Sequence, residues 1–95
     1  MSKLIRDGYA EIIDADRVTR VSDEAALEYA IEKIEEELIE LKASKFEDIY
    51  EFADLIEVLY TVARLKGFDH KDVAKAIYSK NSEKGSFYNN LVLDD

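Results

Sequence analysis

The spacing of apolar residues in the middle of the chain constrains the fold most, because it follows the period of an α-helix. One set recurs at alternating intervals of four and three residues: Leu27, Ile31, Ile34, Leu38 and Leu41. Such spacing forms a single apolar stripe over about four helical turns. Ser22 precedes the stripe and suits an N-cap, with Asp23 and Glu24 in an acidic first turn. We therefore predict a helix from Ser22 to near Lys42.

Two more helices are predicted further along the chain. Ser44 and Glu47 match the S-x-x-E capping box, so the second helix is expected to open at Ser44 and to stop at Gly67. Its two apolar faces consist of Ile49, Phe52, Ala53, Ile56, Tyr60 and Ala63, and of Leu55, Val58, Val62 and Leu65. Asp69, with Asp72 three residues later, is predicted to cap a shorter third helix that ends at Gly85.

These patterns predict an all-α single domain over residues 1–95. The first 21 residues are irregular, with room for a short helix and an extended segment, and the tail 86–95 is apolar enough to dock. Two long helices and one short helix leave an apolar face of the second helix uncovered. We therefore expect a helical bundle completed by oligomerisation, as a homodimer or homotetramer.

Composition and charge exclude several classes of function. The chain has no cysteine, so disulfides and thiolate metal sites are absent. The formal net charge is −9, which disfavours a nucleic-acid partner. No apolar run is long enough for a membrane span and no signal peptide precedes the domain, so a soluble cytoplasmic protein without a membrane partner is expected.

Acidic residues interrupt the helical pattern at helical spacing. Glu37 and Glu40 are three residues apart on the first helix, and Glu51 and Asp54 are three apart beside an apolar face of the second. Unpaired carboxylates at such positions are costly, and a divalent cation such as Mg²⁺ removes that cost. The alternative interpretation is an ordinary solvated acidic surface.

Other candidate residues are few. His70 is the only histidine, and its position favours a surface role. Lys80 and Lys84 lie four residues apart near the end of the third helix. They suit either compensation of the helix dipole or a pair of cations for phosphates.

Four segments in order resemble one family. "KIEEELIEL" (33–41) resembles the K-L-x-E-E-x-x-E-L signature of the MazG-like nucleotide pyrophosphohydrolases, and "EFAD" (51–54) resembles their following E-x-x-D. "KLIRD" (3–7) and "KNSEKGSF" (80–87) resemble the K-L-V-R-D and K-x-x-x-R-G-G-F segments of a small single-domain subgroup. The wider superfamily, the all-α NTP pyrophosphatases, includes phosphoribosyl-ATP pyrophosphohydrolase. The chain departs from the subgroup pattern after "RD", where a lysine and a proline are missing, and at Lys84 and Ser86.

The resemblance implies an enzyme that hydrolyses a nucleoside triphosphate or related nucleotide to the monophosphate and pyrophosphate. It implies Mg²⁺ or Mn²⁺ as cofactor, held by Glu37, Glu40, Glu51 and Asp54. Glu36 would ligate the cation or orient the attacking water, and Lys80 and Lys84 would bind substrate phosphates. The substrate stays open between a broad nucleotide pool and a narrow one such as phosphoribosyl-ATP, dUTP or dCTP. The alternative is a non-enzymatic, acidic helical dimerisation module.

Overall fold

The structure, a computed structural model, describes residues 2–94, and over that range every regular element is a helix. In chain order the elements are α1 (Asp7–Ala10), a 3₁₀ turn (Ala15–Arg17), α2 (Asp23–Ala43), α3 (Ile49–Leu65) and α4 (His70–Lys84). The predicted all-α class is therefore confirmed. The short helix expected near the N-terminus is α1, and the extended segment follows the 3₁₀ turn at Val18.

The first long helix begins and ends where its sequence predicts. The Ser22 hydroxyl accepts a hydrogen bond from the Ala25 backbone N–H at 3.2 Å, and Asp23 and Glu24 occupy the first turn. Acidic side chains there face the positive end of the helix dipole. The helix then runs to Ala43, one residue past the predicted end.

The prediction that Ser44 opens the second helix is wrong. Ser44 is the C-cap of α2, and its hydroxyl donates to the Leu41 carbonyl at 2.7 Å. The next two residues, Lys45 and Phe46, adopt positive φ angles of 58° and 60°, which turn the chain. Their N–H groups then satisfy the last carbonyls of α2 in a Schellman arrangement. The α3 helix begins only after Asp48.

Asp48 is the true N-cap of α3, because its carboxylate accepts from the Tyr50 N–H at 2.9 Å. The other predicted helix boundaries are confirmed. Gly67 follows α3 with φ 97°, a left-handed conformation that glycine adopts without steric cost. Asp69 and Asp72 form a reciprocal capping box at 2.8 and 3.0 Å that opens α4.

The helices α2 and α3 form the packed part of the molecule. They lie against each other along their length, joined by the tight turn 44–48. The buried apolar residues are Ala30, Leu41 and Val58, so the core is small. The α4 helix contacts α3 but buries none of its own residues. The chain extends over 52 × 31 × 25 Å.

The two apolar faces of α3 have different environments. Val58 is buried, and the rest of its face (Leu55, Val62 and Leu65) is half-buried in the chain. On the other face Ile49, Phe52 and Ile56 are 74%, 40% and 50% exposed. A single chain thus covers one face and leaves much of the other in solvent.

The described part of the C-terminal tail, residues 86–94, does not bury its apolar side chains on the helices of its own chain. Its large apolar side chains are almost fully exposed: Phe87, Tyr88, Leu91, Val92 and Leu93. In the segment 2–94 no helix combines the length and the apolar character needed to cross a membrane.

Candidate metal centre

Three carboxylates converge where the start of α3 meets α2. Glu37 and Glu40 lie about one turn apart on α2, and Glu51 lies in the first turn of α3. One oxygen atom from each lies within 4.8 Å of the other two. The predicted grouping of these three residues is therefore present in the geometry, and we call the three together the acid centre.

Two oxygen atoms of the acid centre are buried without a hydrogen-bond partner. They are Oε2 of Glu37 and Oε2 of Glu51, and the Glu37 residue is only 6% exposed. Folding normally pairs such atoms, because an unpaired buried carboxylate oxygen loses its hydration without compensation. Both oxygens are therefore free to accept a ligand.

The pKa values of two carboxylates in the acid centre are raised above their ordinary value. Burial raises the pKa of Glu37, its close approach to Glu40 raises it further, and Lys33 only partly opposes the shift. Burial also raises the pKa of Glu51, with smaller contributions from the negative charges of Glu40, Asp54 and Asp48. Burial and the neighbouring negative charges together thus outweigh the positive charge that Lys33 provides beside Glu37.

The other two predicted acidic residues flank the acid centre and are already paired. Asp54 Oδ1 lies 2.6 Å from Arg6 Nη2, in a hydrogen-bonded ion pair. Glu36 lies 3.3 Å from Lys33 Nζ and 3.7 Å from Lys3 Nζ. Lys33 also lies 3.5 Å from Glu37. The ligand role of Asp54 and the water-orienting role of Glu36 stay predictions, since neither joins the three-oxygen cluster.

The predicted phosphate-binding pair lies elsewhere. Lys80 and Lys84 are exposed on α4, make no ion pair within residues 2–94, and line neither of the two clefts described below. Within a single chain they are therefore not part of the acid centre's surroundings.

A cleft of about 850 Å³ separates the N-terminal segment 3–9 from α2 and α3. Glu37 and Asp54 lie on its wall, so the cleft opens onto the acid centre. Four basic residues line it, namely Lys3, Arg6, Lys33 and Arg64, together with four acidic ones, Asp7, Glu37, Asp54 and Glu57. We call this space the basic cleft. The basic side chains nearest the acid centre thus line this cleft, whereas the sequence had suggested Lys80 and Lys84 on α4 for that role.

Arg64 carries a sequence signal that the interpretation missed. Asp54, Thr61 and Arg64 follow one another at helical spacing on α3, which puts them along one side of that helix. A smaller cleft of about 370 Å³ shares Thr61 and Arg64 with the basic cleft. At its end the rings of Tyr60 and His70 pack with centroids 4.0 Å apart, so His70 has an aromatic partner rather than a purely solvent environment.

The donor set fits a hard divalent cation. All three converging groups are carboxylates, which suit Mg²⁺, Mn²⁺ or Ca²⁺ rather than a soft metal. The two unpaired buried oxygens supply the vacant lone pairs that such an ion needs. The chain matches no protein-family model, and comparisons with curated proteins and with solved structures find no significant similarity.

Proposed function

We propose that this protein is a metal-dependent nucleotide pyrophosphohydrolase, which converts a nucleoside triphosphate or related nucleotide to the monophosphate and pyrophosphate. The observation that carries the proposal is the pair of buried, unpartnered oxygens of Glu37 and Glu51, both close to the negative charge of Glu40. Glu37 also lines the basic cleft. The order of the segments "KIEEELIEL" and "EFAD", which resembles the MazG-like pattern, gives the reaction class.

Glu37, Glu40 and Glu51 would hold Mg²⁺ or Mn²⁺, with Asp54 completing the set. A bound divalent cation supplies charge neutralisation at the phosphates and a lower pKa for water. The chain supplies the rest. Glu36 lies beside the acid centre, 3.3 Å from Lys33 Nζ, and would orient the attacking water or accept its proton.

The basic cleft suits the polyphosphate part of the substrate. Lys3, Arg6, Lys33 and Arg64 line a space that also reaches the acid centre. Phosphoryl transfer depends mostly on positioning and on neutralising phosphate charge, and this combination of groups provides both. Lys80 and Lys84 keep their predicted role only if a second subunit brings them to the cleft.

Assembly as a homodimer or homotetramer is part of the proposal. The exposed face of α3 with Ile49, Phe52 and Ile56, together with a core of very few buried residues, favours burial against a second copy. The same exposed face favours the second candidate function, a non-enzymatic acidic dimerisation module. That alternative gives no reason for two unpaired carboxylate oxygens inside the fold.

A nucleotide panel with Mg²⁺, scored for pyrophosphate release, tests the reaction. The panel includes the common nucleoside triphosphates, dUTP, dCTP, phosphoribosyl-ATP and nucleotides with modified bases. Glu35→Gln is the matched control, because Glu35 is exposed on α2 and lies outside the acid centre. We expect pyrophosphate from at least one nucleotide with the wild type and Glu35→Gln. Orthophosphate alone, or no product from any nucleotide, would refute the reaction.

A further inference from the structure

The N-terminal segment reaches the acidic residues from far along the chain. Arg6 and its partner Asp54 are 48 residues apart in sequence, and their 2.6 Å contact is the shortest ion pair between described residues. Lys3 reaches Glu36 in the same way at 3.7 Å. Two side chains from one short segment thus act as internal cations for the acidic region.

These internal cations pair with the outer carboxylates and miss the inner ones. Arg6 neutralises Asp54, but Oε2 of Glu37 and Oε2 of Glu51 have no partner. The five neighbouring carboxylates are Glu36, Glu37, Glu40, Glu51 and Asp54, and the basic residues paired with them are Lys3, Arg6 and Lys33. If the cation at the acid centre takes Asp54 as a further ligand, as proposed above, it competes with Arg6 for that carboxylate.

Arg6 also has unused donors on the side of the cleft. A guanidinium carries five N–H groups, and the structure shows one of them in a hydrogen bond. The Arg6 side chain is 62% exposed and lines the basic cleft with Lys33 and Arg64. Planar, forked donors are well matched to phosphate oxygens. Arg6 can thus reach a phosphate in the cleft without leaving the neighbourhood of Asp54.

We propose that Arg6 is an exchangeable cation of the site. It pairs with Asp54 while the acid centre lacks a divalent cation, and it transfers to the substrate's polyphosphate when Asp54 becomes a metal ligand. This inference rests on the proposed function and adds a residue, Arg6, and a ligand class, polyphosphate, to the same site. Arg6 is then a phosphate-binding residue and a competitor of the cation at once.

Those two roles give effects of opposite sign on two affinities. Removing a competing cation strengthens divalent-cation binding in the absence of phosphate. Removing a phosphate ligand weakens polyphosphate binding once the cation is bound. A residue that only braces the N-terminal segment would change both affinities in the same direction, or neither.

The experiment measures both affinities on the full chain. Mn²⁺ binding is followed by electron paramagnetic resonance, and inorganic pyrophosphate binding by calorimetry at saturating Mg²⁺. The variants are Arg6→Gln, Arg6→Lys and the control Arg17→Gln, which changes an exposed arginine of the 3₁₀ turn that makes no ion pair with the described acidic residues. Thermal melting of each variant verifies that it is folded.

With Arg6→Gln we expect about threefold or more tighter Mn²⁺ binding and about tenfold weaker pyrophosphate binding, from the usual strength of a charged hydrogen bond. Arg6→Lys keeps the charge but loses the fork, so its Mn²⁺ affinity stays close to wild type and its pyrophosphate affinity falls between the other two. Arg17→Gln matches the wild type in both measurements.

Two affinities that fall together, or that both stay unchanged in Arg6→Gln, would overturn the exchange while leaving the proposed reaction standing. The opposite-signed pattern without pyrophosphate release from any nucleotide would support the exchange and refute the reaction. A wild-type chain that binds no Mn²⁺ would overturn both.

Discussion

The α2–α3 pair and α4 differ in what they bury. Between α2 and α3 the chain buries Glu37, a carboxylate with one unpartnered oxygen, beside a very small apolar core. Along α4 it buries nothing, and Ile77 and Tyr78 remain 52% and 75% exposed. Burial of apolar side chains is favourable, whereas burial of a charge is costly. A chain folded for stability alone would therefore bury Ile77 and Tyr78 and expose Glu37. The α2–α3 pair is therefore where we propose a divalent cation, whereas α4 leaves its apolar side chains on the surface.

The largest expected effect comes from the acid centre itself. Glu40→Gln and Asp54→Asn should each lower turnover by roughly 100-fold or more, as loss of a metal ligand does. Their stabilities should differ without metal. Glu40→Gln relieves repulsion on Glu37 and Glu51 and should melt higher. Asp54→Asn loses the ion pair with Arg6, so its melting temperature should not rise.

Steady-state turnover and melting curves in a chelating buffer check both variants, with Glu35→Gln as the control. If Glu40→Gln and Asp54→Asn keep wild-type turnover, the acid centre has no part in the reaction. The buried carboxylates between α2 and α3 would then have no functional explanation.

Ile56→Asp tests the proposed assembly through the exposed face of α3. Ile56 is 50% exposed in the single chain, so a carboxylate there should leave the chain folded while disrupting a seam with a second copy. Ser79→Asp, an exposed position on α4, is the matched control. Val58→Asp, which the sequence pattern alone would select, tests folding instead, because Val58 is buried within the chain.

Light scattering at low micromolar concentration measures the outcome. We expect the wild type and Ser79→Asp to have at least twice the chain mass of 10.9 kDa, and Ile56→Asp to be shifted toward that mass. An active wild-type monomer of 10.9 kDa would contradict any assembly through this face.

The buried carboxylates also predict a pH dependence of stability. The pKa values of Glu37 and Glu51 are raised above 4.5 in the folded state, so the folded chain binds protons more readily than the unfolded chain. The resulting stabilisation is fully present below the ordinary pKa of 4.5, and it is lost as pH rises through the raised values. Without metal, the free energy of unfolding should therefore increase as pH falls from 7 to 5. Glu37→Gln should flatten this dependence relative to Glu35→Gln, and denaturant titrations at both pH values measure it. If the free energy of unfolding changes equally with pH in the two variants, the pKa of Glu37 is not raised by the fold.

The smallest effect concerns the turn between α2 and α3. Lys45 adopts φ 58°, where a non-glycine residue is strained by roughly 1 kcal/mol. Lys45→Gly should therefore raise the free energy of unfolding by up to about 1 kcal/mol. Asp48→Ala should lower it by about 1 kcal/mol through loss of the N-cap. Urea titration distinguishes the two directions, and a loss of stability in Lys45→Gly would show that the turn is not strained there.

Local patterns predicted most of the fold. Ser22, Gly67, and the pair Asp69 and Asp72 mark helix ends by their own chemistry, and the structure uses each of them in that way. The turn 44–48 escaped prediction because its left-handed residues are not glycines, so that Ser44 was mistaken for an N-cap.

In the site too, groupings set by local spacing were predictable from the sequence, and contacts between distant residues were not. The spacings of three within Glu37 and Glu40 and within Glu51 and Asp54 are local, and two such pairs on facing helices predicted a common site, of which Glu37, Glu40 and Glu51 converge. The contact between Arg6 and Asp54 joins residues 48 apart, and no local period reveals such a pair. For the same reason the sequence selected Lys80 and Lys84 as the basic partners, although other basic residues line the cleft.

Thermal melting with added Mg²⁺ tests the central claim, that the acid centre holds a divalent cation, most directly. The wild type and Glu40→Gln are melted at pH 7 in increasing MgCl₂, with NaCl at matched ionic strength to remove screening. A cation at 100 times its dissociation constant stabilises the folded state by about 2.7 kcal/mol. We predict a saturable rise in melting temperature for the wild type that is largely absent in Glu40→Gln. Equal responses of the two proteins, or no response beyond that to NaCl, would contradict the claim.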